Sequence, residues 1–367
     1  MGRNRAAGVA GTVVLVVAAM ACGGAGGRAR AQASPPVAPA GPPITVGDGE
    51  ILARAPCPVA ADPLAFGRAI EAYLQADVER AGLTAELAAR PVATLFPPAD
   101  HARLVAASRT GRCERVVYRS GGLRVVGFVV RPAAPPRPGA RHPVVLWLRG
   151  GNRELGKVGP FALVHMLDLA EAGFVVVATQ YRGVDGGDGV EQYGGDDVDD
   201  VFALVPLARG LADADADRLF LLGGSRGAMQ GLIAMRRGLR VRAAAFRGGL
   251  YDLGRLLDAR PELEVDPVSL LIPEWSHDRA GAIERRSATR WAGELRTPTL
   301  LVHGRQDWRV QVDDAFEFAG ALADAGVEHE LVVYEREEHQ LAFHRRQWIA
   351  AVAGWFHRHD RAAVAAK

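Results

Sequence analysis

Arg218–Arg236 reads RLFLLGGSRGAMQGLIAMR, and this stretch decides the fold. Arg218 to Leu222 is a short apolar run closed by glycines, the pattern of a buried strand, and from Ala228 onward the apolar residues recur at helical spacing. Between the two lies Gly223-Gly224-Ser225-Arg226-Gly227. A chain that passes from strand to helix over so few residues holds the serine in a strained backbone conformation. Gly223 and Gly227 remove the side chains that would otherwise collide with the adjoining strand and helix. The hydroxyl is then exposed above the sheet edge. Behind it the helix N-terminus offers free N–H groups and a positive dipole end to a developing oxyanion, with the Arg226 N–H as the first donor. In a chain with 43 glycines the five residues alone also read as a glycine-rich turn, so the partners must come from elsewhere.

Working outward, the same alternation continues in both directions. Strands are expected at Val144–Leu148, Phe174–Thr179, Arg218–Leu222, Arg242–Phe246, Thr299–Val302 and Glu330–Tyr334. Helices are expected at Phe161–Ala172, Asp196–Ala208, Arg226–Arg236, Asp313–Ala325 and Phe343–His359. Short apolar strands between amphipathic helices predict an α/β domain with a mainly parallel sheet covered on both faces. Upstream, valine-rich runs between Arg115 and Arg131 flank Gly121-Gly122, the signal of a two-residue hairpin turn, so an antiparallel pair begins the sheet. A Pro-rich loop, Pro132 to Pro143, follows. Leu250 to Trp291 breaks the alternation and is expected to lay helices or loops over the site.

A serine hydroxyl is a poor nucleophile at neutral pH and needs a base, and the base needs an acid to fix its tautomer. Asp307 follows the strand Thr299–Val302 and His339 follows Glu330–Tyr334, so both stand just beyond the carboxyl edges of parallel strands, where ligands bind in open α/β sheets. Asp313 and Asp314 compete as the acid, but they fall where the next helix begins and suit its dipole. His344, His329 and His303 compete as the base. The first falls inside the last helix, and the other two fall at strand ends on the sheet.

From about Arg115 to His359 the chain resembles the catalytic domain of the prolyl oligopeptidase family. The resemblance rests on Arg149-Gly150-Gly151-Asn152, on Tyr181-Arg182-Gly183-Val184-Asp185-Gly186-Gly187 leading into Tyr193 to Val201, on the serine motif, on His303-Gly304-Arg305-Gln306-Asp307 and on His339. It implies an α/β-hydrolase fold with Ser225, Asp307 and His339 as catalytic residues. It also implies a second oxyanion donor from the loop after the first inner strand, often a tyrosine side chain before the paired glycines. Here that position holds Arg149, beside Gly150 and Gly151. Its guanidinium has two readings: a donor to an oxyanion or substrate carboxylate, or an ion pair with an acid near Asp196 to Asp200. Many members carry a β-propeller ahead of this domain, and the roughly ninety residues between the start of the Gly/Ala/Pro-rich stretch at Gly23 and Arg115 are too few for one.

Residues 1–33 carry the layout of a secretory signal: Arg3 and Arg5 precede an apolar run, Val9 to Ala21, too short for an ordinary membrane span. Cleavage after Ala33 leaves a soluble product. Cleavage after Ala21 exposes Cys22 for lipidation, the only membrane contact expected. Residues 34–57 read as a disordered Pro/Ala/Gly-rich tether. Residues 58–112 read as a small helical segment with Asp62 capping a helix to Ala81, with Leu64, Ile70, Leu74 and Val78 on its apolar stripe, and a second helix from Thr84 to Ala89. Residues 113–360 form the catalytic domain. Cys57 and Cys113 are the two other cysteines, read either as a disulfide or as two buried thiols. Lys and Arg number 44 against 42 Asp and Glu, which gives no electrostatic reason for a nucleic-acid partner. The expected activity is hydrolysis of a small-molecule or short-peptide substrate without a cofactor or metal. An ester substrate is the alternative, and a non-catalytic binding protein on the same fold is a third reading.

Overall fold

The computed structural model describes residues 14–19, 45–134 and 139–365. The apolar runs become strands of one sheet: β1 (Val14–Ala19), β2 (Ile51–Pro56), β3 (Cys113–Ser120), β4 (Leu123–Val130), β5 (His142–Leu148), β6 (Val175–Thr179), β7 (Ala214–Gly224), β8 (Ala244–Arg247), β9 (Thr299–Gly304) and β10 (His329–Tyr334). Their order across the sheet is β1-β10-β9-β8-β7-β5-β6-β4-β3-β2. The strands from β5 to β10 pair in parallel, and β4, β3 and β2 continue one side antiparallel. On the other side β1 lies antiparallel along β10.

Among the described residues, α-helices cover this sheet: α1 (Pro63–Arg80), α2 (Thr84–Ala89), α3 (Val92–Leu95), α4 (Pro98–Arg109), α5 (Pro160–Glu171), α6 (Asp199–Arg209), α7 (Arg226–Arg236), α8 (Leu253–Ala259), the single turn α9 (Ser269–Leu271), α10 (Arg279–Arg285), α11 (Val312–Asp324) and α12 (Arg345–Ala365). Strand residues alternate between two cores because successive side chains point to opposite faces. Val144, Leu146 and Leu148 of β5 pack with α6, α7, α8 and α11, whereas Val145 and Trp147 pack with α1, α4, α5 and α12. Burial on both faces is why β5 reads as an unbroken apolar run. This is the mainly parallel sheet of an α/β-hydrolase fold.

Four sequence expectations need correction. Residues 51–56, read as part of a tether, are an edge strand paired with β3 from Ile51↔Tyr118 to Pro56↔Glu114. Its side chains are nearly all exposed, so backbone pairing holds it and no apolar pattern marks it. Leu64 is exposed, and Phe66 takes the place given to it on the buried stripe of α1. Helices α3 and α4 were not anticipated, and α12 begins at Arg345, so His344 precedes it. Asp62 does cap α1, accepting from the Ala65 N–H at 2.7 Å ahead of Pro63. Cys57 and Cys113 are joined by a disulfide that ties the start of the helical segment to β3. Cys22 and both cleavage sites lie outside the described residues.

Candidate active site

Ser225 stands between the end of β7 and the first turn of α7 with φ 53° and ψ −124°, in the half of backbone space that side chains avoid. The crowding behind it explains the flanking glycines. A Cβ on Gly227 would come 2.1 Å from the Leu148 carbonyl oxygen, and one on Gly223 would come 2.5 Å from the carbonyl oxygen of Gly227. The elbow is pinned by its own backbone: the Ser225 N–H donates to the Arg247 carbonyl at 3.0 Å, and its carbonyl accepts from Leu250 at 3.1 Å. Gly150 packs so tightly against the serine that a Cβ there would lie 2.8 Å from Ser225 Cβ. The backbone of residues 150–151 thus borders the space in front of the hydroxyl.

Sheet register brings the other two groups to the same edge. Gly304 at the end of β9 is level with Tyr334 at the end of β10, and Arg247 of β8 is level with both Gly224 and Val302. From there, His339 Nδ1 and Asp307 Oδ2 meet at 2.7 Å, both buried. The other oxygen, Asp307 Oδ1, accepts from the N–H groups of Arg309 and Val310 at 2.9 and 3.0 Å, which fixes the carboxylate plane. Burial pushes the Asp307 carboxyl up, but His339 and His303 outweigh it and hold it well below the usual carboxylate range. Such an acid stays ionised at any pH at which the imidazole works. His303, a rival for the base, sits behind the acid with Nε2 3.2 Å from Asp307 Oδ2 and 2.9 Å from the Val310 carbonyl oxygen. That second contact requires Nε2 to carry the proton. Asp314 pairs with Arg255 at 2.6 Å and His329 Nδ1 is engaged with the Val327 carbonyl, so neither joins this pair.

A residue that sequence reasoning passed over links both loops. Asp77 of α1 is fully buried and accepts from Trp308 Nε1 at 3.0 Å, Arg309 Nε at 2.5 Å and Gln340 Nε2 at 3.1 Å. Trp308 and Arg309 follow the acid, and Gln340 follows the base. The signal was present: Phe66, Ile70, Leu74, Asp77 and Val78 share the buried stripe of α1, and a carboxylate on such a stripe needs partners. Glu337 and Glu338, just before His339, are also buried. Burial pushes both carboxyls up, and each accepts backbone N–H groups of its own loop, Glu338 from Gln340 and Ala342 and Glu337 from His344.

Arg149 departs from the expectation that its side chain faces substrate. Its guanidinium is buried and donates to the carbonyls of Gln180, Gly150, Leu155 and Arg153 at 2.9 to 3.0 Å, with Glu191 3.7 Å away. Four of its five N–H groups are donated to these carbonyls and the guanidinium is buried, so it is committed to the loop and not to the cleft. Its ionic partner is Glu191, not an acid of Asp196 to Asp200. Glu191 also pairs with the Arg226 guanidinium, which lies over the rings of Tyr181 and Tyr193. Burial and the neighbouring Arg226 push the Arg149 pKa down to about 10, which leaves it charged at neutral pH. What the Arg149 loop presents to the cleft is the backbone of Gly150 and Gly151.

Ser225 and His339 line a single cleft of about 350 Å³. Its walls come from α1 (Ala72, Tyr73, Ala76), from Leu250, Leu256, Leu263 and Pro267 in the segment that breaks the α/β alternation, and from Arg309 and Val310. Among the described residues, no cluster of three His, Cys, Asp or Glu side chains is arranged to hold a metal ion.

The sequence profile of the prolyl oligopeptidase family (Peptidase_S9) matches residues 162–361, more than half the chain, including all three groups above. An uncharacterized peptidase of Bacillus subtilis, YtmA, is 29% identical over 229 residues, 60% of this chain and 80% of that protein. Among solved structures, a puromycin-hydrolyzing peptidase of Mycobacterium tuberculosis superposes with a TM-score of 0.56 at 27% identity, covering 65% of this chain and 37% of that one. An acylaminoacyl peptidase of Pyrococcus horikoshii shares the fold with a TM-score of 0.56 at 19% identity, covering 66% of this chain and 41% of that one. The chain therefore spans most of the Bacillus protein but only about two fifths of the two solved structures.

Proposed function

This chain belongs to the prolyl oligopeptidase family of serine peptidases, and from that premise we propose that it cleaves peptide or amide bonds of small substrates through Ser225, His339 and Asp307. The observation that carries the proposal is the buried Asp307–His339 contact at 2.7 Å, with His339 lining the cleft that also holds the strained Ser225. Ser225 Oγ attacks the carbonyl carbon while His339 Nε2 takes its proton. Collapse of the tetrahedral intermediate expels the amine, which receives that proton, and leaves an acyl-enzyme. Water then repeats the sequence with His339 again as base. Asp307 holds the imidazole in the tautomer with Nδ1–H and stabilises the imidazolium. The Arg226 N–H at the start of α7, with the backbone of Gly150 and Gly151, stabilises the oxyanion. A cleft of this size suits a short peptide or a small amide.

We also propose that the protein works outside the reducing cytosol. The Cys57–Cys113 disulfide supports this, as does the charged and apolar N-terminus. Removal of residues 1–21 or 1–33 would take β1 away and leave β10 as the sheet edge. The activity is tested with matched aminoacyl amides and short-chain esters bearing the same acyl group. Amide turnover that is lost in Ser225→Ala is expected. Ester turnover without any amide turnover would overturn the peptidase reading.

A further inference from the structure

The two halves of the oxyanion hole come from different parts of the chain, and one buried carboxylate touches both. Glu191 lies in the loop between β6 and α6 and is 3% exposed. Its Oε2 accepts from the Arg153 N–H at 2.5 Å, in the turn that follows Gly150 and Gly151. Its Oε1 faces the guanidinium of Arg226, the residue whose N–H is the first oxyanion donor, and the Arg149 guanidinium is 3.7 Å away.

Charge makes this tie necessary. Arg226 is buried over the rings of Tyr181 and Tyr193, and none of its side-chain nitrogens makes an aligned hydrogen bond among the described residues. The carboxylates beside it are Glu191 and Asp197. Asp197 stands 4.0 Å off, with its two oxygens accepting from the Gly194 N–H at 3.0 Å and from Gln230 Nε2 at 2.9 Å. A buried guanidinium without a counter-ion is costly, so Arg226 is held against Glu191. The loop that carries Glu191 is anchored in turn, since the buried Arg286 donates to the Tyr193 carbonyl at 2.7 Å and to Glu274 at 2.8 Å. The carboxylate is therefore a fixed post between the start of α7 and the turn after β5.

We propose that Glu191 is a positioning residue for the oxyanion hole, holding the Arg226 N–H and the Gly150–Gly151 backbone at the separation a tetrahedral oxyanion needs; this rests on the serine peptidase reading of the cleft. Arg149 donates to carbonyls of its own loop and of Gln180 and so shapes that loop, whereas Glu191 sets where the loop stands relative to the serine elbow. Such a residue acts on the charged intermediate and not on the bound substrate. Its loss is therefore read in kcat, with KM nearly unchanged.

Glu191→Gln keeps the shape of the side chain and removes its charge. In the purified full chain, with whichever of the matched amides and esters the parent turns over fastest, kcat should fall by about tenfold to a hundredfold while KM moves less than about threefold. A trifluoromethyl ketone with the same acyl group gives the readout that a merely structural role would not move. Ser225 Oγ adds to its carbonyl carbon, the hydroxyl proton passes to His339, and the resulting oxyanion fills the hole. Its inhibition constant should rise by the same factor as kcat/KM falls. Where the single variant does not fold, Glu191→Gln combined with Arg226→Met removes both charges together, which buried pairs tolerate better than the loss of one partner, and the same losses should appear. Circular dichroism verifies the fold, and the end point of fluorophosphonate labelling counts active molecules in every preparation. A folded variant that keeps the parental kcat, that shows its loss in KM, or that loses kcat with an unchanged inhibition constant overturns the inference and leaves the peptidase reading intact, as does failure of both variants to fold. A parent that takes no label overturns both.

Discussion

Residues 113–360 and residues 51–112 reach the same cleft by different means. The first region delivers its groups from strand ends: Ser225 directly follows β7, Asp307 lies on the loop after β9 and His339 on the loop after β10, and sheet register brings these ends to one edge. The second region delivers side chains from one helix. Asp77 of α1 bonds to Trp308, Arg309 and Gln340, and Tyr73 lines the cleft. The lesson is a division of labour. Chemistry is set by backbone geometry common to a family, while the brace and much of the wall come from a segment that the family match does not include.

The comparison predicts graded losses. Ser225→Ala and His339→Ala should each lower turnover by roughly four to six orders of magnitude, and the double variant should be no slower than either single one, because a triad acts as a unit. Asp307→Asn should cost less than either, since nucleophile and base remain. Additive losses in steady-state kinetics would break the assignment of these residues to one machine.

Asp77→Asn tests the brace. It keeps the size of the side chain but removes the charge facing Arg309 and sets an amide donor among donors. Turnover should fall by about tenfold to a hundredfold through misplacement of the acid and base loops. The rate of fluorophosphonate labelling should fall in proportion, while KM changes little. A variant that melts earlier yet labels at the parental rate would show that α1 only supports the fold.

Arg149→Met sharpens the contrast from the other side, because this residue belongs to the first region yet serves structure. Its removal leaves four carbonyls without their donor, so the protein should melt several degrees earlier. The folded fraction should retain turnover within about tenfold, since the Gly150 and Gly151 backbone remains. A larger loss at an unchanged melting temperature would return the guanidinium to the reaction.

The two regions also differed in how far sequence revealed them. Strand–helix alternation and the glycines around Ser225 are strong periodic and steric signals, so β5 to β10 and the order of serine, acid and base could be read directly. Edge strand β2 escaped because nearly all its side chains face solvent and its stability lies in backbone pairing with β3. Arg149 was misread because position before a glycine pair says nothing about which carbonyls will close around a guanidinium. His303 was weighed as a base on its own, although its spacing of four residues from Asp307 across a strand end brings its ring onto the acid. Asp77 lies 231 residues from Trp308 and 263 from Gln340, separations over which no local pattern operates.

The central claim is that Ser225 is a nucleophile activated by His339. Incubation of the folded protein with a fluorophosphonate probe, followed by intact-mass and peptide mass spectrometry, addresses it most directly. The expected result is one adduct per chain, located on Ser225, absent from Ser225→Ala and strongly slowed in His339→Ala. A folded parent protein that takes no adduct, or an adduct that persists in Ser225→Ala at the parental rate, would contradict it.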